Sequence, residues 1–113
     1  MTPRRGRPRR AWTEAEDMML IDMIEGEGLS HGKTARFLGV SQNAVTGRIN
    51  RIRAAEAAIP LDDAVDLAIL ETMDTPGLHA PAAAAARRVR DLTGAEPDPG
   101  GVRLRRWKIM KGN

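Results

Sequence analysis

LSHGKTARFLGVSQNAVTGRINRIR, Leu29 to Arg53, is the stretch whose reading decides the fold. Ser30 offers an oxygen to the free backbone N–H groups that begin a helix, so a helix through Leu38 is predicted with Ser30 as its N-cap. Gly39 can take the left-handed conformation of a sharp exit without a Cβ clash, and Val40 can fold back on the last turn. Ser41 caps a further helix two residues later. Two helices joined by a turn of about three or four residues must meet steeply, which is the geometry of a helix-turn-helix.

Side-chain spacing agrees with that geometry. Ala35 is small where the second helix should cross, and Val45, Ile49 and Ile52 recur at the i, i+4, i+7 spacing of one buried face. The other faces carry Gln42, Asn43, Thr46, Arg48, Asn50, Arg51 and Arg53, with Ser41 at the start and Gly47 leaving room for close approach. Gln and Asn amides can bond an adenine edge bidentately, Thr can meet a thymine methyl, and Arg serves phosphate or guanine. An ordinary solvated helix would more usually show Glu and Lys at these positions. The eight side chains Ser41, Gln42, Asn43, Thr46, Arg48, Asn50, Arg51 and Arg53 are therefore the predicted major-groove and phosphate contacts.

Upstream, residues 1–11 read as a basic arm, expected to be disordered because its first ten residues have no apolar residue beyond Met1 and its charges repel. Arg5-Gly6-Arg7-Pro8, flanked by Arg4, Arg9 and Arg10, resembles the AT-hook. Gly and Pro keep such a backbone slim, and its arginines suit a narrow minor groove over A·T tracts. Arg4, Arg5, Gly6, Arg7, Arg9 and Arg10 are the predicted contacts there, beside the groove taken by the second helix of the pair. A solvated basic tail is the plainer alternative.

Trp12 to Asp17 opens a first helix, with Thr13 and Glu16 as a capping box and Trp12 as an anchor outside it. Leu20, Met23 and Ile24 continue an inward stripe. With Phe37, Leu38, Val45, Ile49 and Ile52 they predict a three-helix core, and Met18 and Met19 are expected in core or rim packing. The segment W-T-x-x-E-D-x-x-L, here Trp12, Thr13, Glu16, Asp17 and Leu20, resembles the opening of Myb/SANT-type domains. Continued through EGLS, GVSQNAV and GRINRI, residues 12–52 look like the N-terminal domain of GcrA-type bacterial cell-cycle regulators. That resemblance implies a trihelical, homeodomain-like transcription regulator that binds DNA and contacts RNA polymerase holoenzyme or sigma factor. Gly6-Arg7-Pro8-Arg9 ahead of such a unit is also similar to the DNA-binding domain of Hin-type invertases, whose arm lies in the minor groove.

Ile59-Pro60 should stop the helix that begins at Ser41 and divide a domain of residues 12–59 from a C-terminal helical region, 60–113. Asp62 and Asp63 can cap a fourth helix with a buried stripe of Val65, Ala68, Ile69 and Met73. Pro81 can begin a fifth, closed by Gly94. The final VRLRRWKIMKGN is ambiguous: Asp98 and Pro99 favour a helix, which would make residues 62–111 a second trihelical unit, while the alternation from Val102 to Arg105 fits a strand. Helix is the preferred reading. Arg103, Arg105, Arg106, Lys108 and Lys111 either grip phosphate or form a solvated tail with Trp107 in the core.

Composition bounds what is left. The first ten residues hold five arginines and no acid, and residues 99–113 five cations and no acid; the acids lie between. One hundred and thirteen residues leave no room for a large catalytic core. Cysteine is absent, which excludes disulfides and thiolate metal sites. The two histidines, His31 and His79, stand far apart and read as exposed, and no apolar run approaches the roughly 20 residues of a membrane span. Ser30 and Ser41, the only serines, read as caps rather than nucleophiles. The expectation is an all-α, cytoplasmic, nucleoid-associated DNA-binding regulator of bacterial or phage type, with no enzyme activity, cofactor, metal or membrane partner. The alternatives are a small-terminase-like DNA-packaging adaptor and a module that holds polymerase or sigma factor.

Overall fold

The computed structural model describes residues 12–112. Among them every regular element is helical: α1 (Glu14–Ile21), α2 (His31–Leu38), α3 (Gln42–Ala57), α4 (Asp63–Met73), α5 (Pro81–Thr93) and α6 (Pro99–Met110), with Asp22–Gly26 prolonging α1 as a wider π-helical turn. The residues 1–11 expected to form the arm lie outside this range.

Local chemistry sets the helix ends. Thr13 Oγ1 accepts from Glu16 N–H and Glu16 Oε1 from Thr13 N–H, each at 3.1 Å, closing the capping box. Ser30 and Ser41 accept from the N–H groups of Lys33 and Ala44 at 3.1 and 3.0 Å. Gly39 takes φ +73°, and its N–H and that of Val40 both reach the Ala35 carbonyl, so α2 ends in three residues and α3 begins. Asp62 caps α4, and Pro81 and Gly94 bound α5.

Two apolar clusters follow. Leu20, Ile21 and Ile24 of the first segment, Ala35 of α2, and Val45, Ile49 and Ile52 of α3 form one, with Trp12, Leu38 and Val40 packed against it. Ile59, Val65, Ile69, Ala85, Ala86, Val89 and Val102 form the other, with Met73 beside it. Phe37 is not in the first cluster, contrary to expectation. The inward side of α2 is Thr34, Ala35 and Leu38, and one residue of helix rotates Phe37 about 100° from Leu38, leaving it 70% exposed. Ile21 takes the inward place expected for Met23, which is half-buried, and Met18 and Met19 stand at the rim, 51% and 42% exposed.

The last stretch is a helix, and α6 joins the two clusters. Leu104 lies in the first and Val102 in the second. Gly100 and Gly101 bring α6 hard against α3: a Cβ at Gly101 would lie 2.6 Å from Ala55 Cβ and 2.7 Å from the Glu56 backbone nitrogen. Pro60 thus marks the end of a helix but not a division in packing, because α6 completes the core of the region before it. With Gly100 to Arg105 all buried, α6 cannot serve as the reading helix of a second trihelical unit.

Candidate nucleic-acid interface

The predicted contacts separate into a solvent-facing set and an interior one. Ser41, Gln42, Asn43, Asn50 and Arg51 are exposed on one side of α3, and Thr46 is half-exposed among them. No acid occurs from Gln42 to Ala55; the first is Glu56, which points inward. Gly47 sits in the middle of this face, and a Cβ there would meet nothing within 4 Å. Glycine in a helix interior is less stable than alanine by roughly 1 kcal/mol. Among the described residues no contact accounts for it.

The start of α2 flanks the face. Gln42 Oε1 lies 3.4 Å from where a Gly32 Cβ would be, so the amide rests over that glycine. His31 Nδ1 and Thr46 Oγ1 are 2.7 Å apart, which ties the Thr46 hydroxyl to α2. His31 is half-buried, not exposed as expected. Nothing in the sequence pairs residues 31 and 46; only the crossing of α2 over α3 does.

Arg48 is the clear departure. Its Nε and Nη2 bond both oxygens of Asp17, at 2.9 and 2.6 Å, and Nη1 and Nη2 reach Asp98 at 3.4 and 3.3 Å. The side chain is only 10% exposed. Its hydrogen bond to Asp17 outweighs the opposing effect of burial and raises the guanidinium pKa further. Arg48 therefore ties α1, α3 and the cap of α6 together and is unavailable to an external phosphate. Arg53 is half-exposed, with Nε on Glu25 Oε2 at 2.6 Å. A phosphate would have to compete with that carboxylate.

Of the C-terminal cations Arg103 and Arg105 are buried, whereas Lys108 and Lys111 are exposed. Arg103 pairs with Glu14, Arg106 with Asp74 and Lys108 with Glu56, at 3.2, 2.7 and 2.9 Å, and Lys111 lies over the Trp107 ring at 5.1 Å. All five N–H groups of Arg105 have acceptors: Glu56 Oε2 at 2.7 Å, Asp66 Oδ1 at 2.9 Å, and the carbonyls of Pro60, Glu56 and Ile59. The Ile59 and Pro60 carbonyls lie just past the end of α3, and the Glu56 carbonyl also accepts from Ile59 N–H at 3.0 Å. Burial alone would push the Glu56 carboxyl up, but hydrogen bonds from Arg105 and Lys108 prevail and hold it below its ordinary value. Arg103 and Arg105 are thus held in internal ion pairs, away from any external phosphate.

Arg4, Arg5, Gly6, Arg7, Arg9 and Arg10 lie outside the described residues. Within them no cluster of three metal-ligating side chains occurs, and no helix is long and apolar enough to cross a membrane. Comparison with family models, with curated proteins and with solved structures finds no match to this chain.

Proposed function

We propose that the chain is a DNA-binding transcription regulator in which α1 to α3 form a trihelical, homeodomain-like unit. In this reading α2 and α3 are the helix-turn-helix and the outward side of α3 enters the major groove. The observation that carries it is an acid-free helical face, with amides at Gln42, Asn43 and Asn50 and a cation at Arg51, surrounding a glycine that has no neighbour among the described residues. Amides provide base-edge hydrogen bonds, and the absence of carboxylates removes repulsion from phosphate. The resemblance to GcrA-type and Myb/SANT-type domains supports the same assignment, and the basic arm at Arg4 to Arg10 suits an adjacent minor groove.

Selection from random duplexes by the full chain, followed by fluorescence anisotropy on the best sequence and on a scrambled one, tests this. Enrichment of a defined site is the expected result; equal affinity for every duplex, or none, overturns base reading. Asn43→Ala should cost roughly 1–3 kcal/mol on the selected site and little on the scrambled one. If the arm arginines and Arg51 meet phosphate, about six basic groups are engaged, giving a log–log salt slope near −5.

Gly47→Ala separates a contact surface from an ordinary helix face. A methyl group in open space should stabilise the fold by about 0.5–1 kcal/mol. The same methyl should weaken binding to the selected duplex by roughly ten-fold, because it enters a gap that a close-packed interface fills. Thermal unfolding and anisotropy on one preparation read both effects. A higher melting temperature with unchanged affinity would remove α3 from the interface.

A further inference from the structure

The α4–α5 pair has one covered side and one open side. Val65, Ala68 and Ile69 of α4 and Ala82, Ala85, Ala86 and Val89 of α5 are buried between these helices and α6. Leu67 of α4 is 55% exposed, Leu92 of α5 52%, and Leu78, in the connection between the two helices, 39%. An open cleft of about 410 Å³ lies between the helices, walled by Leu78 and Ala84, with Glu71 on α4 and Arg87 and Arg88 on α5; Arg90 and Asp91 of α5 also line it and pair with each other at 3.4 Å, leaving the unpaired charge of α5 positive.

Charge on this face is divided by helix. The acids that line α4 inward are engaged, Asp66 by Arg105 and Asp74 by Arg106. Among the described residues, Asp63 and Glu71 form no ion pair, and neither do Arg87 and Arg88. The face thus presents unpaired carboxylates on one helix, unpaired guanidiniums on the next, and leucines beside both.

We infer that this face joins two copies of the chain about a two-fold axis, α4 of each copy against α5 of the other. Two-fold association requires a surface that complements itself, so that a half-turn brings each group onto its counterpart. Acids and cations on neighbouring parallel stripes meet that condition, and leucines set beside the cleft are shut away from water as the copies close. A partner of single sign, such as a nucleic acid, would leave one stripe facing like charge.

The helix lengths set the strength. Eleven and thirteen residues at a rise of 1.5 Å give a face roughly 16–20 Å on each side. That places the contact at the small end of specific interfaces, so the pair forms at high concentration or when both copies are held on one ligand. The inference stands whether or not α3 binds DNA.

Analytical ultracentrifugation of the full chain without DNA tests it, up to about 1 mM, where even a weak specific contact is populated. A monomer–dimer equilibrium is expected. Glu71→Arg alone, or Arg87→Glu with Arg88→Glu, should each raise the dissociation constant ten-fold or more while circular dichroism stays unchanged, as these side chains are exposed. An equimolar mixture of the two variants should dimerise again, because the reversed faces complement one another. Leu67→Asp should abolish association. A monomer at the highest concentration, oligomers larger than two, unaffected association of the reversal variants, or no recovery on mixing would each overturn the two-fold pair.

Discussion

Gly101→Ala is expected to destabilise the protein by roughly 2 kcal/mol, and Gly101→Leu by more than about 4 kcal/mol, measured by urea unfolding. The sign is opposite to that at Gly47, although the chemical change to alanine is the same. At Gly101 the added carbon would lie 2.6 Å from Ala55 Cβ, 2.7 Å from the Glu56 nitrogen and 2.8 Å from the Ala55 carbonyl carbon. Backbone atoms of a packed helix cannot swing aside, so α6 must retreat from α3. That movement loosens Leu104 from the first cluster and Val102 from the second together. The helix propensity gained from alanine, about 1 kcal/mol, offsets only part of the loss. A stability equal to or above that of the original chain would show that α3 and α6 do not cross this closely.

Arg105→Ala should cost about 3–5 kcal/mol, a large part of the 5–15 kcal/mol typical of a domain. The loss has two sources. Glu56, 7% exposed, is left with Lys108 as its remaining cation, and the Ile59 and Pro60 carbonyls just past α3 lose the guanidinium. Arg105→Lys should recover less than half, because an ammonium offers three N–H groups where the guanidinium uses five. Acid acts on the same network. The Glu56 carboxyl is held below its ordinary value of 4.5, so its contribution is complete above about pH 4.5 and is lost as pH falls through the lower folded value. The gap between the original chain and Glu56→Gln should therefore be widest near neutrality and narrow in acid. Parallel denaturation curves at pH 7 and pH 3.5 measure this, and a constant gap would show that the carboxylate is not held by Arg105 and Lys108.

The mixed fate of the arginines shows how far the residues can be read one by one. Arg51 and Arg48 differ by three positions on α3, and both suit phosphate by residue type. Position 48 is three residues after Val45 and four before Ile52, at the edge of the face that Val45, Ile49, Ile52 and Glu56 turn to the core. That spacing was a legible signal that Arg48 and Glu56 belong inside. What it could not supply was the partners: Asp17 is 31 residues away and Asp98 is 50. Pairings at such separations depend on how helices cross, and no local pattern encodes them.

The end of the chain gives the converse lesson. Val102-Arg103-Leu104-Arg105 alternates as a strand would, yet it is helical. Residues two apart on a helix point about 200° from one another. Val102 and Leu104 therefore face opposite sides, and each finds its own apolar cluster because α6 lies between them. Period alone cannot separate a strand with one buried face from a helix buried on two.

Helix starts and stops were determined by the residues themselves, since a cap or a left-handed glycine acts within a few bonds: Thr13 with Glu16, Ser30, Gly39, Ser41, Asp62, Pro81 and Gly94 all occupy the places their chemistry assigns. The outward position of Gln42, Asn43 and Asn50 followed equally from the spacing of Val45, Ile49 and Ile52. Tertiary structure alone decided which charges remain outside. Burial of an ion requires an opposite charge brought from another helix: Arg48 meets Asp17 of α1, and Arg103 and Arg105 meet their acids only once α6 has folded back between the two halves of the chain.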